Sequence, residues 1–200
     1  MIKEDLLTGL VLAYLIAGFL IPTLVNTGVW ANPKIPHSYI YVLLFAVLPI
    51  LILTGLTVAS QLGKKIHILW QFSKFAAVGF LNTAISFGVL NILVYLTGIT
   101  KGPETLFMDA VAFSTAVINS YWWNRRWTFQ GAKQGDFIVF VAVTLIGLSI
   151  SASIVFVIST FVEPRFGLTG KQWINVAKVA ATAISLFWNF TGYKLIVFRR

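Results

Sequence analysis

Six long apolar runs constrain this chain more than any other feature. They cover roughly Leu6–Val25, Tyr39–Ala59, Phe75–Leu96, Leu106–Trp123, Phe137–Phe161 and Trp173–Phe190. A hydrocarbon layer about 30 Å thick is crossed by about 20 helical residues at about 1.5 Å each, so each run can span it, the fourth and sixth only just. Backbone groups inside lipid must be satisfied within their own segment, which makes these runs helices. Barrel strands would place a polar residue at every second position, and these runs do not. The expectation is an all-α membrane protein with six transmembrane helices. Composition agrees, since 58% of the 200 residues are hydrophobic and 10% are charged. Such a chain can hardly supply the charged shell of a soluble domain.

The connectors carry turn chemistry: Asn32-Pro33 and Pro36, Gly102-Pro103, Gly131 and Gly135, Glu163-Pro164, and Gly167 to Gly170. Pro22 and Pro49 lie inside the first two runs and are expected to kink them. The net charge of +9 is dispersed between apolar runs. Dispersal encodes membrane topology, so nucleic acid is excluded as a partner; some bases can instead meet anionic lipid head groups. One side of the membrane would hold Lys3, Lys64, Lys65, Lys74, Arg125, Arg126, Lys133, Lys194, Arg199 and Arg200. The other would hold Lys34, Lys101, Arg165 and Lys171, with Lys178 inside a span. That bias places both termini in the cytoplasm, with the chain in the cytoplasmic membrane. The start of the first run mixes Lys3 with Glu4 and Asp5 and is too long for a signal core, so it reads as a span that is kept. There is no cysteine, and His37 and His67 fall in predicted loops without partners. No metal or cofactor is expected.

A repeat runs through the last four spans. At a shift of 65, Phe72, Phe75, Ala77, Val78, Ile85 and Ser86 fall on Phe137, Phe140, Ala142, Val143, Ile150 and Ser151. At a shift of 69, Asp109 falls on Lys178, Ser120 on Asn189, Arg125 on Lys194 and Phe129 on Phe198. Each copy is one hairpin, so the copies share an orientation. The result is two parallel helical-hairpin repeats, 72–129 and 137–198, forming a four-helix bundle with a central seam. Residues 1–70 are a two-span extension and 71–200 the four-span domain. A purely structural duplication would give the same pattern.

The polar residues kept within the spans fall on matching faces. Lys178, Thr182, Ser185, Asn189 and Tyr193 share one face of run six, and Asp109, Ala116, Ser120 and Asn124 share the equivalent face of run four. Polar groups in lipid turn toward protein or a wet cavity. Asp109 and Lys178 could pair to line or gate that cavity. They could equally form a structural ion pair, or Lys178 could snorkel outward. Gly79, Asn82, Thr83 and Ser86 form a small, polar stripe on run three that also suits close helix packing. The densest local signal is Asn119-Ser-Tyr-Trp-Trp-Asn-Arg-Arg-Trp-Thr-Phe129, echoed by Trp188-Asn-Phe-Thr-Gly-Tyr-Lys-Leu-Ile-Val-Phe198. Interfacial anchoring explains much of Trp122, Trp123 and Trp127. It explains less well the adjacency of Asn124, Arg125 and Arg126. Arginine forks suit phosphate oxygens, and aromatic faces suit sugar rings or lipid chains.

These segments, together with Phe72-Ser-Lys-Phe-Ala-Ala-Val-Gly-Phe-Leu-Asn82, resemble the GtrA-like membrane proteins over about residues 70–200. The resemblance implies a four-span bundle acting in cell-surface polysaccharide synthesis. It implies movement of polyprenyl-phosphate-linked sugars across the membrane, beside a glycosyltransferase that makes the lipid-sugar. Asn82, Asn124, Arg125, Lys178 and Asn189 take the family's motif positions. Tyr193-Lys194 departs from the Asn-Arg that the family often has there, and the first two spans lie outside the usual family length.

The leading expectation is therefore a flippase and not an enzyme. Lys74, Arg125, Arg126 and Lys194 would collect a phosphate at the inner leaflet. Asn82, Ser86, Ser120, Asn124, Asn189 and Tyr193 would line the path of the sugar, with Asp109 and Lys178 near the outer side. No Walker-type glycine loop is present to bind ATP. The alternative is a membrane subunit that anchors a glycosyltransferase without transporting. Seams of small residues could also pair between chains, making a homo-oligomer.

Overall fold

The computed structural model describes residues 3–99, 104–130, 135–167, 180 and 183–198. All regular structure among them is helical. Helix α1 covers Lys3–Asn26, α2 His37–Val42, α3 Leu48–Gly63, α4 His67–Thr97, α5 Glu104–Trp123 and α6 Phe137–Phe161. A last helical stretch runs over 183–192. Three short π-helical turns interrupt or end these helices, at Leu43–Val47, Asn124–Thr128 and Tyr193–Val197.

The stretches Lys3–Asn26, His37–Gly63 and His67–Thr97 are each long and apolar enough to cross a membrane. The chain is a multi-pass membrane protein. Its outward side chains agree, with Ile50, Leu51 and Phe80 exposed by 62%, 63% and 70%. Such a surface is unfavourable in water and suited to lipid.

Local chemistry sets the breaks. Pro49 has no amide to donate, and its ring crowds the carbonyl four residues back. The helix widens just ahead of it, where the Leu48 N–H reaches back five residues to the Leu43 carbonyl. Pro22, by contrast, is carried within an unbroken α1. Gly98 ends α4 with a left-handed backbone at φ 70°, which glycine adopts without a Cβ penalty. Asp136 starts α6, its Oδ1 accepting the Ile138 and Val139 amides at 2.7 and 3.3 Å. The two histidines depart from the loop assignment, because each begins a helix. His37 Nε2 donates to the Trp30 carbonyl at 2.8 Å and its ring stacks on Trp30.

The chain folds as two compact units, Met1–Thr128 and Phe129–Arg200. In the first, α1 and α4 run parallel. Asp5 meets Lys74 at one end, and Asn26 Nδ2 donates to the Asn91 carbonyl at 2.7 Å at the other. Between these ends, Leu12, Ile16, Leu56, Val78, Leu81 and Ile85 form the core. The leading hairpin therefore packs into one unit with the first repeat. Helix α5 returns antiparallel to α4, with Asn119 Nδ2 on Asn82 Oδ1 at 2.8 Å and Gln71 Nε2 on the Thr128 carbonyl at 3.3 Å. In the second unit, α6 pairs antiparallel with 183–192. There Ser185 donates to the Gly147 carbonyl at 2.9 Å and Trp188 to the Val143 carbonyl at 3.1 Å.

Helices α1 and α4 approach closely at Gly88, where any Cβ would meet the Phe19 carbonyl and side chain. Small residues at such crossings let backbones approach in lipid. Gly88→Leu should lower the thermal stability of the detergent-solubilised protein by about 1–3 kcal/mol. Gly18→Leu, at a glycine with nothing within 4 Å, should leave it unchanged or raised.

Candidate functional site

The end of the first unit where α1 and α4 begin and α5 finishes holds the densest polar chemistry. Its centre is Lys74, whose side chain is 8% exposed. An ammonium this buried needs an anion. The Asp5 carboxylate supplies it, with Oδ1 at 2.6 Å from Lys74 Nζ. The same oxygen accepts the indole N–H of Trp127 at 2.9 Å. The rings of Trp70 and Trp127 lie 4.8 and 5.3 Å from the ammonium, within cation–π range. Lys74 is thus a paired, enclosed cation. Its partner comes from the leading hairpin, a residue that sequence reasoning did not connect to it.

The π-helical turn Asn124–Thr128 aims its side chains two ways. Arg125 and Arg126 are exposed, while Asn124, Trp127 and Thr128 are buried. The Arg126 guanidinium sits 4.6 Å from the Trp122 ring, and that of Arg125 sits 6.0 Å from Tyr121. Trp122, Trp123 and Trp127 follow one another in edge-to-face contacts at 4.7 and 6.4 Å. Two forked cations are thereby held against aromatic faces at the helix end. Asn124 is fully buried. Its Nδ2 donates to the Ser120 carbonyl at 2.8 Å and hydroxyl at 3.2 Å. Its Oδ1, like Thr128 Oγ1, meets no donor among the described residues.

The second unit carries a counterpart. Its π-helical turn at Tyr193–Val197 lies 69 residues after the first, the same shift as the sequence alignment. Tyr193 takes the place of Asn124, but its hydroxyl is bonded to Thr144 Oγ1 at 2.6 Å and its ring stacks on Phe140 at 4.2 Å. Lys194 lies 5.9 Å from the Phe190 ring. Asn189 is half-buried, and its Oδ1 meets no donor among the described residues.

Of the other predicted site residues, Asn82 accepts from Asn119, and Ser86 is half-buried on α4. Asp109 lies on α5 with its side chain outside the described residues, and Lys178 and Thr182 lie outside them altogether. The signal that could have found Asp5 is arithmetic. The chain has only six acids, and the topology puts Asp5 at the same boundary as Lys74.

A family model described as "GtrA/DPMS, transmembrane domain" matches residues 74–198. An uncharacterized membrane protein of Bacillus subtilis (strain 168), YngA, is 29% identical over 125 residues, covering 62% of this chain and 77% of its own length. No solved structure matches the chain.

Truncating one partner of a buried pair leaves an uncompensated charge, whereas an apolar replacement of both is close to neutral. Lys74→Met should therefore cost about 3 kcal/mol of unfolding free energy, and Asp5→Leu with Lys74→Met should recover most of it. Trp127→Phe, which keeps a ring but loses the N–H, should cost about 1 kcal/mol. Thermal unfolding in one detergent compares all three.

Proposed function

The chain belongs to the GtrA/DPMS transmembrane family, and on that premise we propose that it moves a polyprenyl-phosphate-linked sugar from the cytoplasmic to the outer leaflet for cell-surface polysaccharide or glycan synthesis. The observation that carries this reading is the exposed Arg125–Arg126 pair, held against Tyr121 and Trp122 at the end of a membrane helix. Guanidinium forks take phosphate oxygens in pairs, and the neighbouring rings offer faces to sugar or lipid chain. With both termini cytoplasmic and all six apolar runs crossing, this pair sits at the inner leaflet.

In this reading Arg125 and Arg126 collect the phosphate, and Lys194 offers a weaker copy in the second repeat. Asn82 and Ser120 in the first unit, and Asn189 in the second, each solvate sugar hydroxyls in transit. Outward movement of a monoanionic phosphodiester runs with an inside-negative potential, by about 2.3 kcal/mol per 100 mV. The protein then needs no nucleotide and does no covalent chemistry. A glycosyltransferase would supply the lipid-sugar.

The test is lipid scrambling in liposomes reconstituted with the purified chain. Protein-containing vesicles should expose a polyprenyl-phosphate sugar faster than empty ones. Arg125→Ala with Arg126→Ala should cut that rate by about ten-fold or more while insertion stays normal. Vesicles no faster than empty ones would leave the chain as a non-transporting anchor for the glycosyltransferase.

A further inference from the structure

Lys74 Nζ and Trp127 Nε1 converge on one acceptor oxygen, Asp5 Oδ1, at 2.6 and 2.9 Å. Two indole faces, Trp70 and Trp127, close around the ammonium. One full positive charge, one neutral N–H and aromatic walls are the donor set of an anion site. Its occupant is the chain's own carboxylate.

A mere fastening of α1 to α4 does not require this arrangement. Buried ion pairs rarely improve on apolar residues of similar volume. The two helices are already joined by the Leu12, Ile16 and Leu81 core, by the close approach at Gly88 and by Asn26 with Asn91. Lys74, in contrast, must have some anion at all times. Asp5 sits in the first turn of α1, where Lys3, Glu4, Leu6 and Leu7 are exposed. The first amides of a helix lack partners within it, so apart from the contacts of Asp5 itself little holds this turn. The indole that donates to Asp5 also belongs to the turn that carries Arg125 and Arg126. Arg125 and Arg126 lie within one turn of Trp127 along the chain, their side chains exposed and the indole buried.

We propose that Asp5 is a resident stand-in for the lipid phosphate at Lys74 and Trp127, and that a phosphate-ester head group enters this site by exchanging with it. The proposal rests on the reading of Arg125 and Arg126 as the phosphate entry. For a phosphodiester the exchange conserves charge, one monoanionic phosphate replacing one carboxylate on Lys74 while Asp5 leaves with the unwound first turn to water at the interface; a monoester such as farnesyl phosphate brings up to about one further negative charge, which Arg125 and Arg126 can meet. Lys74 is then never left unpaired, and an anion that cannot outcompete a tethered carboxylate does not occupy the site. The leading hairpin, which the family match does not cover, becomes the element that sets affinity.

The experiment measures binding of farnesyl phosphate to the full chain in nanodiscs. Asp5→Asn keeps an acceptor for the indole but removes the competing charge. It should bind about ten-fold tighter than wild type, as expected when the competent state is about a tenth populated. Adding Lys74→Met to Asp5→Asn should abolish that gain. A second arm leaves the pair intact: the chain has no cysteine, so Glu4→Cys carries a single environment-sensitive dye at the exposed start of α1. Its emission should shift as farnesyl phosphate saturates. A folded Asp5→Asn that binds no tighter, or a silent dye at saturation, overturns the exchange; if Asp5→Asn does not fold, the dye decides alone. Binding that depends on Arg125 and Arg126 but not on Asp5 overturns the exchange only. No binding by the wild-type chain overturns the reading it rests on as well.

Discussion

A lysine buried at the membrane edge has to be neutralised, and the first unit is arranged around that need. Lys74 lies on α4 with its side chain almost closed off. Its counter-ion is brought by α1, a helix outside the family-matched region. Placing Asp5 on Lys74 sets α1 parallel to α4, so α3 must run back between them in sequence. It also recruits the indole of Trp127, and with it the end of α5. Gln71 on the Thr128 carbonyl fastens the same end. One electrostatic requirement thus places three helix ends together. The exposed arginines are carried on the last of them.

The two π-helical turns at the ends of the repeats show how a duplicated hairpin can diverge. A π-turn admits one extra residue and re-aims the side chains around it. In the first copy it buries Asn124 with an unpaired oxygen and exposes two arginines. In the second copy Tyr193 fills the corresponding place and satisfies its hydroxyl on Thr144. The position aligned with Thr144 in the first copy is Gly79, which has neither the hydroxyl nor the bulk. An unmet buried acceptor is costly unless something visits it. Asn189 Oδ1 is unmet in the second copy as well, so what sets the first copy apart is its adjacent pair of exposed arginines.

Much of this architecture was legible in the sequence because lipid imposes one rule on every backbone group. The apolar runs matched α1, α4, α5 and α6 to within a few residues, except at the start of α4, which begins eight residues earlier at His67. Pro49 marked a disturbance, although a kink was expected and a π-turn just ahead of it is found. The motif from Asn119 to Phe129 was visible as a cluster, but not its division into exposed arginines and a buried asparagine. That division comes from the π-turn, which no periodicity of 3.6 anticipates. The sequence groups Lys74 with Arg125, Arg126 and Lys194 as bases that collect a phosphate, and says nothing of its burial. Its enclosure depends on Asp5, 69 residues before it in sequence, and on Trp127, 53 residues after it. Local patterns carry no information about partners at that separation; only the scarcity of acids and the shared boundary single out Asp5.

The central claim, that Lys74 passes from an internal carboxylate to a lipid phosphate, can be measured directly by solid-state NMR in bilayers. The chain would carry nitrogen-15 at lysine Nζ and carbon-13 at aspartate carboxyls, with Lys74→Met to assign the signal. Without ligand, the Lys74 nitrogen should couple to the Asp5 carboxyl carbon. With farnesyl phosphate, that coupling should fall as a coupling to phosphorus-31 appears on the same nitrogen. A Lys74 nitrogen that keeps its Asp5 coupling at saturating ligand and never couples to phosphorus would contradict the account.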